Sequence, residues 1–100
     1  SLSQLREMEK RLRQAGAPIR PIDHGNAWSI YSSDPEGNGL EIYLDSLWYV
    51  AQPHARHLDL SLSDEEIYFQ TEKAVRADPT WCTGQEWQEK LRVRLRADHN

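Results

Sequence analysis

A chain of 100 residues with a formal net charge of −4 has room for one small domain or part of a larger one, and it offers no broad basic surface to recruit nucleic acid. At 38% hydrophobic and 28% charged, it is poorer in apolar residues than an average globular domain, so its helices are exposed or part of its core lies elsewhere. No apolar run approaches the roughly 20 residues of a membrane span, and the single cysteine, Cys82, excludes an intrachain disulfide and a multi-thiolate zinc site.

The first element is a helix. Leu5, Met8, Leu12 and Ala15 recur at spacings that leave one apolar stripe. Ser1 or Ser3 caps it, with Ser1 and Gln4 at capping-box spacing, and Gly16 followed by Pro18 ends it. Arg6 to Arg13 reads as a solvated helix face, as does Lys90 to Arg96 near the other end. Ile19 to Ile22 is short and extended, and Pro21 limits it to an edge or irregular strand. Asp23-His24-Gly25-Asn26 reads as a turn.

The clearest β signal follows. Trp28 and Ile30 alternate with Ser29 and Tyr31; beyond Asp34-Pro35-Glu36-Gly37-Asn38-Gly39, Leu40, Ile42 and Leu44 alternate with Glu41, Tyr43 and Asp45. A symmetric hairpin register centred near Glu36 puts Tyr31 opposite Glu41 and Ser29 opposite Tyr43. Alternation then places these four on one face and Trp28, Ile30, Leu40, Ile42 and Leu44 on the other, against the first helix. A carboxylate beside a phenol is either an ordinary wet pair or, if that face is covered, a group in need of a cation or donors. Trp48-Tyr49-Val50-Ala51 is a shorter aromatic stretch and residues 52–62 read as a loop. The last third is helical. Ser63 with Glu66 opens a helix to about Ala77, with Ile67, Thr71 and Ala74 as its buried stripe and Phe69 or Val75 at the margin. After Asp78-Pro79, Thr83 with Glu86 opens a final helix through Trp87, Leu91 and Leu95.

The run Tyr31-Ser32-Ser33-Asp34-Pro35-Glu36-Gly37-Asn38-Gly39-Leu40-Glu41 resembles the closing motif of the vicinal oxygen chelate superfamily: aromatic, two residues, Asp-Pro, any, Gly-Asn, two residues, Glu. That superfamily includes extradiol catechol dioxygenases, glyoxalase I and bleomycin-resistance proteins. Asp23-His24-Gly25 before the motif, and Trp48-Tyr49-Val50 with Gln52-Pro53 after it, are similar to bacterial catechol 2,3-dioxygenase-like proteins. The resemblance covers Leu2 to Pro53 well and the acidic helical tail loosely. It is more specific for the superfamily than for the reaction.

The resemblance implies an α+β fold: part of a βαβββ module over residues 1–50, with a helix on a small antiparallel sheet, then a loop and two helices over 51–100. It implies that Glu41 is the metal carboxylate, that Tyr31 contacts substrate and that His24 is an active-site imidazole. The spacing from His24 to Tyr31 is shorter than in familiar members. The implied cofactor is Fe(II), with Mn(II) or another divalent metal possible, in a facial arrangement of two imidazoles and one carboxylate. The implied substrates are a catechol-like aromatic diol and dioxygen. The two metal imidazoles of that pattern have no counterpart here, so the isolated chain is expected to be inactive. A longer parent, a missing amino-terminal module or a second copy would complete it, and the missing initiator Met fits that expectation. His54 and His57 are three apart, but beside Pro53 they read as loop residues. Cys82 has no nearby His or Lys and reads as structural, and a reducing cytoplasm fits its solitary state.

Three other functions stand beside this one. A metal-free binding protein of the bleomycin-resistance type would line a cleft with Trp48 and Tyr31. A glyoxalase-like lyase would use a metal-bound Glu to move a proton. An inactive interaction fragment would pair an exposed helix stripe with another subunit.

Overall fold

The computed structural model describes the backbone of residues 1–99 and the side chains of residues 1–94. The chain is α+β. In order it forms α1 (Leu2–Gln14), β1 (Ile19–Asp23), β2 (Ala27–Ser33), β3 (Gly39–Asp45), β4 (Trp48–Tyr49), β5 (Arg56–His57), α2 (Asp64–Arg76), β6 (Cys82–Thr83) and α3 (Gly84–His99). Four antiparallel strands run in the order β3-β2-β1-β5, and β4 pairs with β6 in a small second sheet.

Helix α1 starts where its capping box directs. The Ser1 hydroxyl accepts from the Gln4 amide, and the Gln4 side chain reaches back to the Ser1 amino group at 2.9 Å. Arg11 and Arg13 sit in its last turn, where the helix dipole favours cations, and each pairs with a glutamate one turn earlier. Leu2 and Leu5 are buried, Met8 and Leu12 are half-buried, and Ala15 is exposed. The expected stripe therefore packs at its beginning and runs off the sheet at its end. Arg6 ties the helix to the second half of the chain by donating to the carbonyls of Leu60 (3.0 Å) and Leu62 (2.9 Å) and by pairing with Asp64 at 2.7 Å.

The hairpin has the predicted register: Tyr31 faces Glu41, Ser29 faces Tyr43 and Ile30 faces Ile42. The Gly37 amide donates to the Asp34 carbonyl, closing the turn with Pro35 at its second position. Asp34 also accepts from the Glu36 and Asn38 amides and from the Asn38 side chain. That network holds its carboxyl below the usual range, hydrogen bonding from Asn38 being the largest cause.

Two strand expectations need correction. Pro21 does not confine β1 to an edge: Ile22 and Asp23 pair with His57 and Arg56 of β5. The missing proline donor is tolerated because β5 is only two residues long, and beside Pro21 it is the proline carbonyl that accepts, from Leu58. The expected loop over 52–62 is likewise not all loop, since it contributes β5 and then buries Leu58 and Leu60. No alternation announces a two-residue strand.

One core serves both halves of the chain. Leu2 and Leu5 from α1, Trp28 and Ile30 from β2, Trp48, Val50, Leu58 and Leu60, and Ile67 and Val75 from α2 form a single buried cluster. On α2, Ile67 and Thr71 are buried as predicted. Val75 takes the third place, Ala74 is only half-buried, and Phe69 lies 62% exposed. The stripe thus follows successive i, i+4 steps. Trp48 belongs to this core with its ring 6.1 Å edge-on from Tyr68. Trp81 is half-buried against the core under the Arg76 guanidinium. Thr83 caps α3 by accepting from Glu86, and Trp87 stacks flat on Tyr49 with centroids 3.9 Å apart. Leu91 is exposed, while Leu95 and His99 lie outside the described side chains. No helix among the described residues is long and apolar enough to cross a membrane.

Candidate functional site

The sheet face away from α1 and α2 carries the three residues singled out above, and the turn before β2 positions the first of them. Gly25 has φ +78°, a left-handed conformation that glycine adopts without steric cost. A β-carbon at this position would lie 2.6 Å from Val50 Cγ1 and 2.8 Å from Val75 Cγ1. The turn is pinned from below by a buried polar chain. Trp28 Nε1 donates to Thr71 Oγ1 (2.9 Å), Thr71 Oγ1 donates to Asp23 Oδ2 (2.7 Å), and Asp23 Oδ1 accepts from the Gly25 amide (2.8 Å). Asp23 and Thr71 are both buried. This chain satisfies polar groups that would otherwise be costly in the core. From outside, Gln52 Nε2 donates to the His24 carbonyl at 3.0 Å.

Held this way, His24 is fixed at both ring nitrogens. Nδ1 lies 3.0 Å from the His54 carbonyl oxygen, and Nε2 lies 2.8 Å from the Tyr31 hydroxyl. A carbonyl only accepts, so Nδ1 carries a proton. The neutral imidazole therefore has a bare Nε2, and the phenol donates to it. In the imidazolium both nitrogens donate, Nε2 donates to the phenol oxygen, and the phenol proton is released toward other acceptors.

Glu41 faces the same groove. It stands across the strand pair from Tyr31 and accepts from Ser29 Oγ at 3.2 Å. Although Glu41 as a residue is exposed, its carboxylate is engaged with the neighbouring strand. The Tyr31 phenol is pushed above its ordinary value, chiefly by burial and then by the neighbouring Glu41 carboxylate; Ser29 and Arg20 pull the other way. His24, Tyr31 and Glu41 are thus brought together along an open groove of about 340 Å³, whose rim includes Tyr43, Asp45 and Gln52. A larger hollow of about 590 Å³ lies on the outer side of α2 beside Phe69 and Lys73, away from these groups.

One reading of this surface is corrected. Trp48 does not rim the groove, because its ring is spent in the core. Tyr43, 63% exposed, is the aromatic that flanks Glu41 on its own strand. His54 and His57 do not act together: His54 buries Nδ1 beside Gly25 without a partner, whereas His57 is exposed on β5.

The residues present do not fit a metal ion on their own. Among the described residues no cluster of three or more His, Cys, Asp or Glu side chains could hold one. Of the implied set only Glu41 is present, and His24, with both ring nitrogens hydrogen-bonded, is not free to join it.

Sequence reasoning did not identify Gln52 or the Asp23–Thr71 pair. An aspartate directly before His-Gly was visible, but its partner lies 48 positions later, and only tertiary contact joins them.

No protein-family model, no curated protein and no solved structure matches the chain.

Proposed function

We propose that this chain supplies the substrate-facing wall of an extradiol-type ring-cleaving dioxygenase acting on a catechol-like diol. The observation that carries the reading is the contact between His24 Nε2 and the Tyr31 hydroxyl, on the face where Glu41 stands opposite Tyr31. Those are the three positions to which the motif resemblance assigns an imidazole, a phenol and a carboxylate. The proposed metal is Fe(II), with Glu41 as one donor and the remaining protein donors supplied by another segment or another molecule.

Within this chain the chemistry is proton handling. A diol hydroxyl entering the groove meets the Tyr31 oxygen. As it donates there, the phenol proton moves to the bare Nε2 of His24 while the His54 carbonyl holds Nδ1–H in place. Glu41 accepts from Ser29 and stands on the facing strand opposite the phenol's residue. A metal-free binder of the bleomycin-resistance type is a weaker reading, because the Trp48 wall it calls for is buried.

Catechol titrated into the chain should shift the resonances of His24 and Tyr31, and Tyr31→Phe should weaken binding several-fold. With Fe(II) added anaerobically and oxygen then admitted, no yellow ring-cleavage product should form. Where the missing donors are supplied, Glu41→Ala should abolish iron retention. Absence of any catechol response at His24 and Tyr31 removes the substrate reading, and robust turnover by the monomer removes the ligand count.

A further inference from the structure

Strand β3 is the outer strand of the main sheet. The hydrogen bonds at its two ends show which of its groups are unused. Asp34 donates its amide to the Asn38 carbonyl, and Ser46 donates its amide to the Asn26 carbonyl. In an antiparallel ladder alternate residues exchange both backbone bonds with a given neighbour. The even positions, Leu40, Ile42 and Leu44, therefore serve β2. The N–H and C=O groups of Gly39, Glu41, Tyr43 and Asp45 point away from it, and no partner takes them among the described residues.

This edge also lacks the usual protection. Seven residues run without a proline, a lysine or a bulge, and the strand's two charges, Glu41 and Asp45, are its remaining protection, which a partner strand must accommodate. Its core-facing side is apolar and incompletely covered: Leu40 is 45% exposed, and Ile42 and Leu44 are half-buried.

We infer that β3 pairs antiparallel with β3 of a second copy of this chain, about a two-fold axis at Ile42. Three centred registers are available near the middle of the strand, and side-chain chemistry separates them. An axis at Glu41 sets Glu41 against its own copy. An axis at Tyr43 sets Glu41 against Asp45. Both place like charges directly opposite, which destabilises a strand pair. The axis at Ile42 sets Glu41 against Tyr43, Gly39 against Asp45, Leu40 against Leu44 and Ile42 against itself. The backbone also agrees. Glu41 with Tyr43 and Gly39 with Asp45 are the outward-facing residues that exchange hydrogen bonds, and Ile42 falls at the close non-bonded position on the axis. The apolar side chains of the two copies then cover one another on the helix side. On the open side each Glu41 gains the phenol of Tyr43 from the second copy, so two grooves merge across one continuous sheet. The pairing stands on the strand edge alone and does not depend on the reaction proposed above.

Sedimentation velocity from low micromolar to millimolar concentration should show a monomer giving way to a dimer. Tyr43→Pro should abolish the dimer while leaving the fold intact, since that amide serves no bond among the described residues and a proline is tolerated on such an edge. In a Cys82→Ala background, Ile42→Cys should oxidise to a cross-linked dimer, whereas Leu40→Cys alone should not. A monomer at every concentration overturns the pairing. So does a dimer that survives in a folded Tyr43→Pro variant. Cross-linking of the Leu40→Cys variant as fast as the Ile42→Cys variant overturns the register.

Discussion

Thr71→Val tests whether the buried polar chain beneath the His24 turn holds the site in place. The substitution keeps the volume of a fully buried side chain and removes only the hydroxyl. Two hydrogen bonds are lost, from Trp28 Nε1 at 2.9 Å and to Asp23 Oδ2 at 2.7 Å. Each leaves a buried polar group unpaired, at about 1–3 kcal/mol apiece, with the carboxyl group at the upper end, so the total is about 3–5 kcal/mol. Set against about 5–15 kcal/mol for a whole domain, this is a large fraction. With a urea slope of about 1.5 kcal/mol per molar, the unfolding midpoint should fall by about 2–3 M. Tryptophan fluorescence follows the transition directly, because Trp28 sits at one end of the chain of bonds. Thr71→Ser keeps the hydroxyl and should recover most of the loss, leaving only the deficit of one methyl group. The site should respond too: with Asp23 released, the Gly25 amide loses its fixed acceptor and the His24 and Tyr31 resonances should broaden. A midpoint within about 0.5 M of the parent at unchanged slope, with His24 undisturbed, would refute the assignment of this chain as the support of the turn.

Gly25→Ala should destabilise the fold by about 3 kcal/mol or more in the same urea assay, because a β-carbon meets Val50 Cγ1 at 2.6 Å and Val75 Cγ1 at 2.8 Å while the backbone stays at φ +78°; a loss under about 1 kcal/mol would mean the turn relaxes freely. The Tyr31 phenol is raised in the fold by burial and by Glu41, so the folded state holds its proton above the pH at which an unfolded tyrosine, near about 10, gives it up. The stability it contributes is complete below that pH and is lost as pH rises through the folded value. Stability measured against pH should therefore fall less steeply on the alkaline side for Tyr31→Phe than for the parent, and identical slopes would count against the phenol–carboxylate contact.

The hairpin was legible because two independent signals agreed. Alternation over β2 and β3 fixed the faces, and Asp-Pro-Glu-Gly fixed the turn, so a register that joins Tyr31 to Glu41 followed from local chemistry alone. The helix starts at Ser1, Ser63 and Thr83 were legible for the same reason, since each cap bonds within three residues. What escaped depended on contacts distant in sequence. Val75 replaces Ala74 in the core because of where α2 lies against β4 and the Gly25 turn, which its own periodicity does not specify. Trp48 could rim a pocket or fill a core equally well by composition, and Tyr68, 20 positions later, decides it. The two-residue strands β5 and β6 exist only through their partners. The approach of His24 to Tyr31 joins both kinds: the register sets Tyr31, and the buried Asp23–Thr71 bond sets His24.

That approach gives the groove its chemical character. Tyr31 has one proton, with Nε2 of His24 at 2.8 Å from its oxygen and the carboxylate of Glu41 on the facing strand. The His54 carbonyl decides between them by demanding a proton at Nδ1. While the imidazole is neutral, its Nε2 accepts the phenol proton, and Glu41 is left to Ser29 and to whatever enters the groove. In the imidazolium Nε2 donates instead, and the phenol proton is free for another acceptor. The direction of the hydrogen bond at Tyr31 thus follows from which nitrogens of His24 carry protons. In the reaction proposed above, such a pair would let a bound hydroxyl lose a proton and a later species regain one. That would require the imidazole to stay in place, and the turn that carries it is gripped from the core by Asp23 and from outside by Gln52.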